Sequence, residues 1–378
     1  MKNLLLILAI GFCILTKAQT PAAPPLENPP HNTIQLALLL DVSNSMDGLI
    51  DQAKAELWSI VNEASKASKN GYTARLEIGL YEYGRSTLTL QSGYVRKLVD
   101  FTTDLDTISE VLFSLKTAGG DEFCATVIQK SIEELKWIDN NNMYRVIFIA
   151  GNEPFNQGKL TYNSACANAA EKRITINTIH CGDSLQGVKE FWKEGADIGL
   201  GEYFYINQNS TSYVEVSTPY DSLIQLYNDS LNTTYMGYGK MGTYYWSNQV
   251  KQDKNAKMMS KEVAIKRAET KSKKASYSNK KWDVVDANTA DSTWIKTTKD
   301  EDLPDTLKGR TLDEKKKIIK GNDTRRAYYS QQIANYNRQR QVYLANIKRN
   351  KPVERTLGNA MVKAIRRQAM SKGFTFTD

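Results

Sequence analysis

Three side chains that carry oxygen atoms follow directly on an apolar run in this sequence. The run at residues 34–40 ends in Asp41, and Ser43 and Ser45 come at the next two alternate positions. Carboxylate and hydroxyl oxygens are the donors that a hard cation such as Mg²⁺ prefers. The spacing therefore predicts a site for a divalent cation. The alternative is a structural role, in which Asp41 and Ser45 cap the helix predicted to follow.

Strand and helix patterns alternate through residues 33–210 and predict how this motif is positioned. The runs at 34–40 and 144–150 are nearly continuously apolar, which is typical of central strands buried on both faces of a parallel sheet, and a third buried strand is predicted at 175–180. Further strands are predicted at 75–83 and 203–207, a hairpin pair at 86–101, and helices at 49–67, 107–115, 123–137, 162–173 and 187–195. This order predicts an α/β fold with a doubly wound, mostly parallel sheet, whose ligands bind at the carboxyl ends of the strands.

The motif Asp41-Val42-Ser43-Asn44-Ser45 between a buried strand and a helix resembles the metal-ion-dependent adhesion site of von Willebrand factor A-type domains. The Gly119-Gly120 loop and the number of strands extend the resemblance over about residues 33–210. The sequence is also similar to exported bacterial proteins that contain such a domain. The resemblance implies a Rossmann-like domain over residues 33–215.

The resemblance also implies how the site works. The hydroxyls of Ser43 and Ser45 would ligate a divalent cation directly, and Asp41 would accept a hydrogen bond from water on that cation. The expected ion is Mg²⁺, with Mn²⁺ and Ca²⁺ as alternatives. A carboxylate from a protein partner would then fill the remaining coordination position.

Two loops depart from the family pattern. The family places a threonine after the glycine pair, where this sequence has Asp121, and an aspartate on a third loop, where it has Gly151. We therefore expect Asp121 to supply the relocated carboxylate. The lesser candidates in the same loops are Thr117, Glu122, Asn152 and Glu153. Alternatively, Asp121 and Glu122 are only charges in the first turn of a helix.

Neither the cysteines nor the histidines predict catalysis. Cys166 on a predicted helix and Cys181 at a strand end form the candidate disulfide, with buried free thiols as the alternative. His180 and Cys181 are neighbours on a strand and would point to opposite faces, which argues against a catalytic pair. The sequence offers no Ser-His-Asp set, so we predict that the protein is not an enzyme.

The first 32 residues are predicted to be an export signal followed by a linker. Residues 1–18 combine a positive start, an apolar run and a small residue before Gln19, as a signal peptide does, and residues 19–32 are rich in proline. We expect the mature protein in the periplasm, on the outer surface or outside the cell. No transmembrane span is expected after cleavage.

Charge divides the remaining chain into two regions. Residues 19–215 contain 16 Lys and Arg against 25 Asp and Glu, whereas residues 216–378 contain 32 against 17. The second region is basic and rich in aromatic residues, and its pattern predicts α-helices. Helices are predicted at 221–232, 253–274, 311–320, 324–349 and 356–371, with an aromatic loop at 235–246 and a strand-like segment at 281–287. Because an exported protein rarely meets nucleic acid, an acidic envelope surface, or the acidic first domain itself, is the expected partner of this region.

These features together predict an exported adhesion protein that binds an acidic group of a protein partner through a divalent cation. Two alternatives remain open at the level of sequence. One is an envelope scaffold with a vestigial metal site, suggested by Gly151. The other is a metal-assisted hydrolase.

Overall fold

The computed structural model describes residues 32–209, 216–347 and 355–377. The predicted signal peptide, the predicted linker apart from Asn32, and the predicted boundary at residue 215 lie outside the described residues. Within the described part, no helix is long and apolar enough to span a membrane.

Strands and helices alternate through the first half of the chain, and helices dominate the second. The strands are β1 (Thr33–Asp41), β2 (Ala67–Lys69), β3 (Tyr72–Thr73), β4 (Arg75–Tyr83), β5 (Val95–Thr102), β6 (Tyr144–Gly151), β7 (Thr175–Cys181), β8 (Tyr203–Ile206) and β9 (Thr375–Phe376). The helices are α1 (Asp47–Ala64), α2 (Leu105–Ser114), α3 (Cys124–Glu134), α4 (Tyr162–Glu171), α5 (Ser184–Lys189), α6 (Trp192–Ile198), α7 (Asp221–Asn232), α8 (Gly242–Met259), α9 (Lys261–Ser272), α10 (Val284–Ala290), α11 (Trp294–Thr297), α12 (Leu312–Ile347) and α13 (Leu357–Ser371).

Six strands form one sheet in the order β5-β4-β1-β6-β7-β8. All neighbouring pairs are parallel except β4 and β5, which are antiparallel. The chain builds outward from β1 to β5 and then returns to β6 on the other side of β1. The prediction of a doubly wound, mostly parallel sheet is confirmed, and the direction of winding switches between β1 and β6.

Helices cover both faces of this sheet. Every residue of β1 and β6 is buried, as the apolar runs predicted for central strands. Leu36, Leu38 and Leu40 pack on one face with residues of α1, α2 and α13. Ala37 and Leu39 pack on the other face with residues of α3, α4 and α6. The sheet therefore holds the carboxyl end of β1 rigidly between two apolar layers.

Two predictions in the first region were wrong in detail. Residues 86–101 do not form a hairpin of their own, because β5 takes β4 as its antiparallel partner and the segment before β5 is a loop. The helix predicted at 187–195 is divided into α5 and α6, because Phe191 between them adopts a left-handed backbone with φ of +69°.

The helical region also differs from its predicted boundaries. The helix predicted at 253–274 is two helices, since Ser260 is extended and its hydroxyl accepts a hydrogen bond from the Val263 N–H, capping α9. The two helices predicted between 311 and 349 are the single helix α12 of 36 residues. The segment predicted as strand-like enters α10, which Asp283 caps by accepting from the Asp286 N–H. Helix α8 begins within the predicted aromatic loop, at Gly242.

The last helix returns to the sheet of the first region. α13 packs against α1 and reaches β6, β7 and β8, and β9 pairs antiparallel with β2. The amide N–H of Leu357 donates to Gln52 Oε1 on α1 at 2.9 Å. Residues 357–376 therefore complete one face of the sheet, although more than 100 residues separate them from β8 in the sequence.

Candidate metal centre

Three loops meet at the carboxyl edge of the sheet, where the direction of winding switches. They follow β1, follow β6 and precede α3. The Ala118 N–H donates to the Val42 carbonyl at 2.8 Å, which ties the loop before α3 to the end of β1. The Ser45 hydroxyl donates to Asn152 Oδ1 at 3.4 Å, which links the loops after β1 and β6. The fold thus brings together the three segments that the sequence singled out.

Asp41 ends β1 and is completely buried. Its Oδ1 accepts a hydrogen bond from the Ser43 N–H at 2.7 Å. The other oxygen, Oδ2, and the Oγ of Ser43 are buried without a hydrogen-bond partner among the described residues. Buried oxygens are normally paired, because leaving them unpaired costs free energy. These two atoms mark a place where a further group, such as a cation, would be stabilised.

Glu122 lies beside Asp41 and is 4% exposed. Both side chains pack against Gly84, which has φ of +80°; a Cβ at that position would lie 2.7 Å from Asp41 Oδ1 and 2.9 Å from Glu122 Cγ. A glycine is therefore required for the two carboxyl groups to share this space. Gly84 was not among the predicted site residues. Its position directly after the carboxyl end of β4 was the signal that could have found it.

Burial shapes the acid–base behaviour of this pair. Burial raises the pKa of Asp41, although the Glu122 side chain and the Ser43 N–H oppose the shift. Burial and the neighbouring Asp41 carboxyl raise the pKa of Glu122. The nearby Ser43 hydroxyl favours the ionised forms, yet its Oγ makes no hydrogen bond of standard geometry. Without a cation, the pair retains a proton more readily than exposed carboxyls do, and a dication would favour its ionised form.

A third carboxylate lies near the pair. Glu153 raises the pKa of both Asp41 and Glu122 by electrostatic repulsion. Its side chain accepts hydrogen bonds from Gln157 Nε2 at 3.4 Å and Asn152 Nδ2 at 3.5 Å. Gln157 Oε1 also accepts from the Glu122 N–H at 3.3 Å. Gln157, which sequence reasoning missed, thus joins the loops that carry the two glutamates.

The structure separates the predicted second-loop residues. Asp121 is exposed, whereas the adjacent Glu122 points inward to Asp41. The Thr117 hydroxyl donates to Asp47 Oδ1 at 2.6 Å. Ser45, which lies in the loop after β1, is exposed. The geometry therefore favours Glu122 over Asp121 as the second carboxylate of the site. A ligand role for Asp121 stays a prediction.

The third loop leaves no room for the aspartate that the family pattern would place there. A Cβ on Gly151 would lie 2.4 Å from the Tyr83 hydroxyl and 3.2 Å from Asp41 Oδ2. Tyr83 is fully buried and donates to the Ala150 carbonyl at 3.0 Å. Its hydroxyl thus occupies the space that a side chain at 151 would need. Tyr83 was also missed at the level of sequence.

The donor set suits a hard cation. Across residues 32–209, 216–347 and 355–377, no group of three or more His, Cys, Asp or Glu side chains is arranged to hold a metal. A cation at Asp41 would therefore depend on two carboxyl groups, the Ser43 hydroxyl and water. This is the kind of oxygen environment, with retained water, that Mg²⁺ accepts. The residues present fit the ion that the motif implies.

The predicted disulfide was wrong. Cys124, Cys166 and Cys181 are free thiols, and all three are buried. Cys166 packs in the apolar layer that contains α3 and α4, whereas Cys181 packs in the layer on the opposite face of the sheet. The sheet lies between the two thiols. His180 packs against the Trp192 ring, and burial lowers its pKa.

No protein-family model matches this chain, and no curated protein matches it. Among solved structures, BatB from Bacteroides thetaiotaomicron is 17% identical, with a TM-score of 0.36, over 47% of this chain and 92% of that one. The VWA domain of SpRpn10 is 15% identical, with a TM-score of 0.36, over 49% of this chain and 99% of that one. Proximal thread matrix protein 1 from the mussel byssus, with a zinc-occupied MIDAS motif, is 11% identical, with a TM-score of 0.37. The match covers 48% of this chain and 43% of that one. At sequence identities this low, the similarity bears on the fold alone.

Proposed function

We propose that the protein is an exported, cation-dependent binding protein whose first region is a von Willebrand factor A-like domain. Its site would hold a divalent cation at Asp41, Ser43 and Glu122 and capture a carboxylate of a protein partner. The observation that carries this proposal is a pair of buried oxygens, Asp41 Oδ2 and Ser43 Oγ, which have no hydrogen-bond partner among the described residues and lie beside a second buried carboxyl group.

The chain's own residues divide the work of binding. Asp41 supplies negative charge at the end of a rigid strand, and Ser43 supplies a neutral oxygen. Glu122 has its pKa raised by burial and by Asp41, so it holds a proton more readily than an exposed carboxyl does. A dication bound there would favour loss of that proton, so Glu122 would ligate as a carboxylate. The bound cation supplies a coordination position held by water, which a partner's carboxylate could take.

The choice of ion follows from the donors. Carboxyl and hydroxyl oxygens favour Mg²⁺, with Mn²⁺ and Ca²⁺ as the alternatives. The exposed Ser45 and the half-exposed Asn152 lie on the two loops bordering the site and would be the first residues to meet a partner. The basic helical region would add attraction to an acidic envelope surface.

Calorimetric titration of Mg²⁺, Mn²⁺ and Ca²⁺ into residues 19–378 tests the metal site. We expect saturable binding in the wild type, loss of binding in Asp41→Asn and weakened binding in Glu122→Gln. Asp121→Asn is the matched control, because it removes the adjacent but exposed carboxylate, and it should bind as the wild type does. Absence of binding in the wild type would favour the scaffold alternative. Loss in Asp121→Asn with no effect of Glu122→Gln would return the ligand role to Asp121.

A second measurement tests capture of a carboxylate. Bound Mn²⁺ speeds the relaxation of water protons that exchange at its open positions. Acetate should lower that enhancement by displacing water, and methyl acetate, which lacks the charge, should not. If acetate and its ester act alike, the site does not recognise carboxylates and the binding proposal fails even though the metal binds.

A further inference from the structure

A second site lies in the helical region, on elements that contribute nothing to the Asp41 site. A cavity of about 380 Å³ opens between α10, α11 and α12. Three lysines line it, Lys296, Lys316 and Lys320, together with one acidic residue, Asp323. The volume falls within the range of pockets that hold small ligands.

The charges around this cavity do not balance. Asp323 lies 3.9 Å from the ammonium groups of both Lys320 and Lys274, so its single charge is shared between two lysines. Within the described parts of the chain, no carboxylate lies within 4.0 Å of the ammonium group of Lys296 or Lys316. Two positive charges thus face a concave surface without a counter-charge. Such a surface attracts an anion.

Neutral polar groups line the wall opposite the lysines of α12. Thr289 and Ser292 contribute hydroxyls, and Asn288 contributes a side-chain amide. Thr289 and Ser292 are exposed. A hydroxyl both donates and accepts hydrogen bonds, so these two groups can pair with hydroxyls of a ligand. A simple anion satisfies the lysines but offers these hydroxyls no donor.

We infer that the cavity binds a small anion that also bears hydroxyl groups, as a sugar phosphate or a sugar acid does. Lys296 and Lys316 contact the anionic group. The hydroxyls of Thr289 and Ser292 exchange hydrogen bonds with ligand hydroxyls, and Ile319 packs against the ligand's carbon atoms. This inference goes beyond the proposed carboxylate capture, because it concerns a small molecule and a different part of the fold.

Calorimetric titration of four probes into residues 19–378 tests the inference. Glucose 6-phosphate and glucuronate carry both an anionic group and hydroxyls, inorganic phosphate carries the anion, and glucose carries the hydroxyls. We expect at least one of the two sugar anions to bind more tightly than phosphate and glucose. The comparison between the sugar anions shows whether the phosphate or the carboxylate is preferred.

Matched variants locate the binding. Lys316→Gln should weaken binding of the preferred sugar anion about tenfold, as loss of one charge-assisted contact does. Lys317→Gln is the control, since Lys317 is the next residue of α12, is exposed and does not line the cavity. Ser292→Ala should weaken binding of the sugar anion but leave phosphate binding unchanged. Unfolding midpoints of all three variants establish that they fold.

Two results would overturn the inference. One is no binding of either sugar anion up to about 10 mM, a concentration well above the weakest affinity of interest. The other is an equal loss in Lys316→Gln and Lys317→Gln, which would show attraction to a diffuse basic surface rather than a site.

Discussion

At the scale of single residues, the candidate metal centre depends on a glycine as much as on its carboxyl groups. Gly84 allows Asp41 and Glu122 to approach each other, because any side chain there would overlap both. Its left-handed backbone adds a second cost to substitution. Gly71, in the turn between β2 and β3, has nearly the same φ of +81° but nothing within 4 Å of its missing Cβ. The two glycines separate backbone strain from crowding.

Gly84→Ala should therefore destabilise the protein more than Gly71→Ala does. The Gly71 variant reports the left-handed backbone alone, about 1 kcal/mol. The Gly84 variant adds crowding of two buried carboxyl groups, about 1–3 kcal/mol more. Urea unfolding of both variants measures the difference. Equal costs would mean that the carboxyl pair does not lie against Gly84.

The carboxyl pair also predicts a pH dependence. The pKa of Glu122 and of Asp41 is raised in the folded state, so the folded protein binds more protons than the unfolded chain above the ordinary carboxyl range. This stabilisation is complete below the unfolded pKa values and is lost as the pH rises through the folded ones. With a chelator present to remove cations, the wild type should therefore lose stability as the pH rises, and Glu122→Gln should lose less. The difference in unfolding free energy, Glu122→Gln minus wild type, should rise with pH. Asp121→Asn, measured in the same series, is the control for loss of one exposed carboxylate.

The sequence predicted the first half of this site better than the second. Asp41 and Ser43 follow a strand whose apolar run is unmistakable, so their place at the sheet edge could be read directly. Asp121 and Glu122 lie in a loop without a periodic pattern, so the sequence does not tell which of them points inward. Gly84 is more than 40 positions from Asp41, and only the pairing of β1 with β4 brings the two together.

At the scale of secondary-structure elements, a buried arginine holds the helical region to the first one. Arg267 on α9 donates to Asp106 on α2 at 2.7 Å and to Asp253 on α8 at 2.6 Å. Its guanidinium stacks over the Trp58 ring of α1 at 4.6 Å. Although burial alone would raise it, the pKa of Asp253 is held well below its usual range by Lys271 and Arg267. These contacts hold α8 and α9 against α1 and α2, which cover one face of the sheet.

Replacing Arg267 tests this attachment. Arg267→Met should cost about 3–5 kcal/mol, because Asp106 and Asp253 lose a buried counter-charge. Lys257→Met is the control on α8, since Lys257 pairs with Asp229, which is 57% exposed, and surface pairs contribute less than about 1 kcal/mol. Chemical unfolding of both variants gives the comparison. Similar small costs for the two would show that the Arg267 contacts do not hold the regions together.

Element boundaries were predictable where local signals were strong. The helix at 221–232 was predicted at its observed ends, and the helix predicted at 356–371 is α13, which begins at Leu357 with Thr356 as its cap. α12 was wrongly divided because Gly321 and its polar neighbours look like a turn. Tertiary contacts keep it continuous. Arg326, one turn later, donates to Asp283 and Asp286 of the α10 segment at 2.7 and 2.8 Å.

At the scale of the whole molecule, the end of the chain completes the first domain. Charge predicted a division near residue 215, yet α13 covers the face of the sheet formed with α1. Gln368 of α13 and Asn177 of β7 exchange side-chain hydrogen bonds at 2.7 and 3.0 Å. A pairing between such distant segments leaves no local pattern, and composition alone could not reveal it.

Two methionines on α13 test this arrangement. Met361 is completely buried and Met370 is 57% exposed. Met361→Asp should destabilise the protein by several kcal/mol, roughly 4 or more, because it places an unpaired charge in the layer shared with α1. Met370→Asp should change stability by about 0.5 kcal/mol or less. Thermal unfolding compares them. A fully stable Met361→Asp would mean that α13 does not complete the domain.

The most direct measurement is a crystal structure of the protein grown with Mn²⁺ and analysed by anomalous diffraction. The account predicts an anomalous peak at the carboxyl edge of the sheet, next to oxygen atoms of Asp41, Ser43 and Glu122, in the wild type and in Asp121→Asn. A peak at Asp121 away from Glu122 would contradict the assignment of the second carboxylate. No peak at saturating Mn²⁺ would contradict the metal site itself.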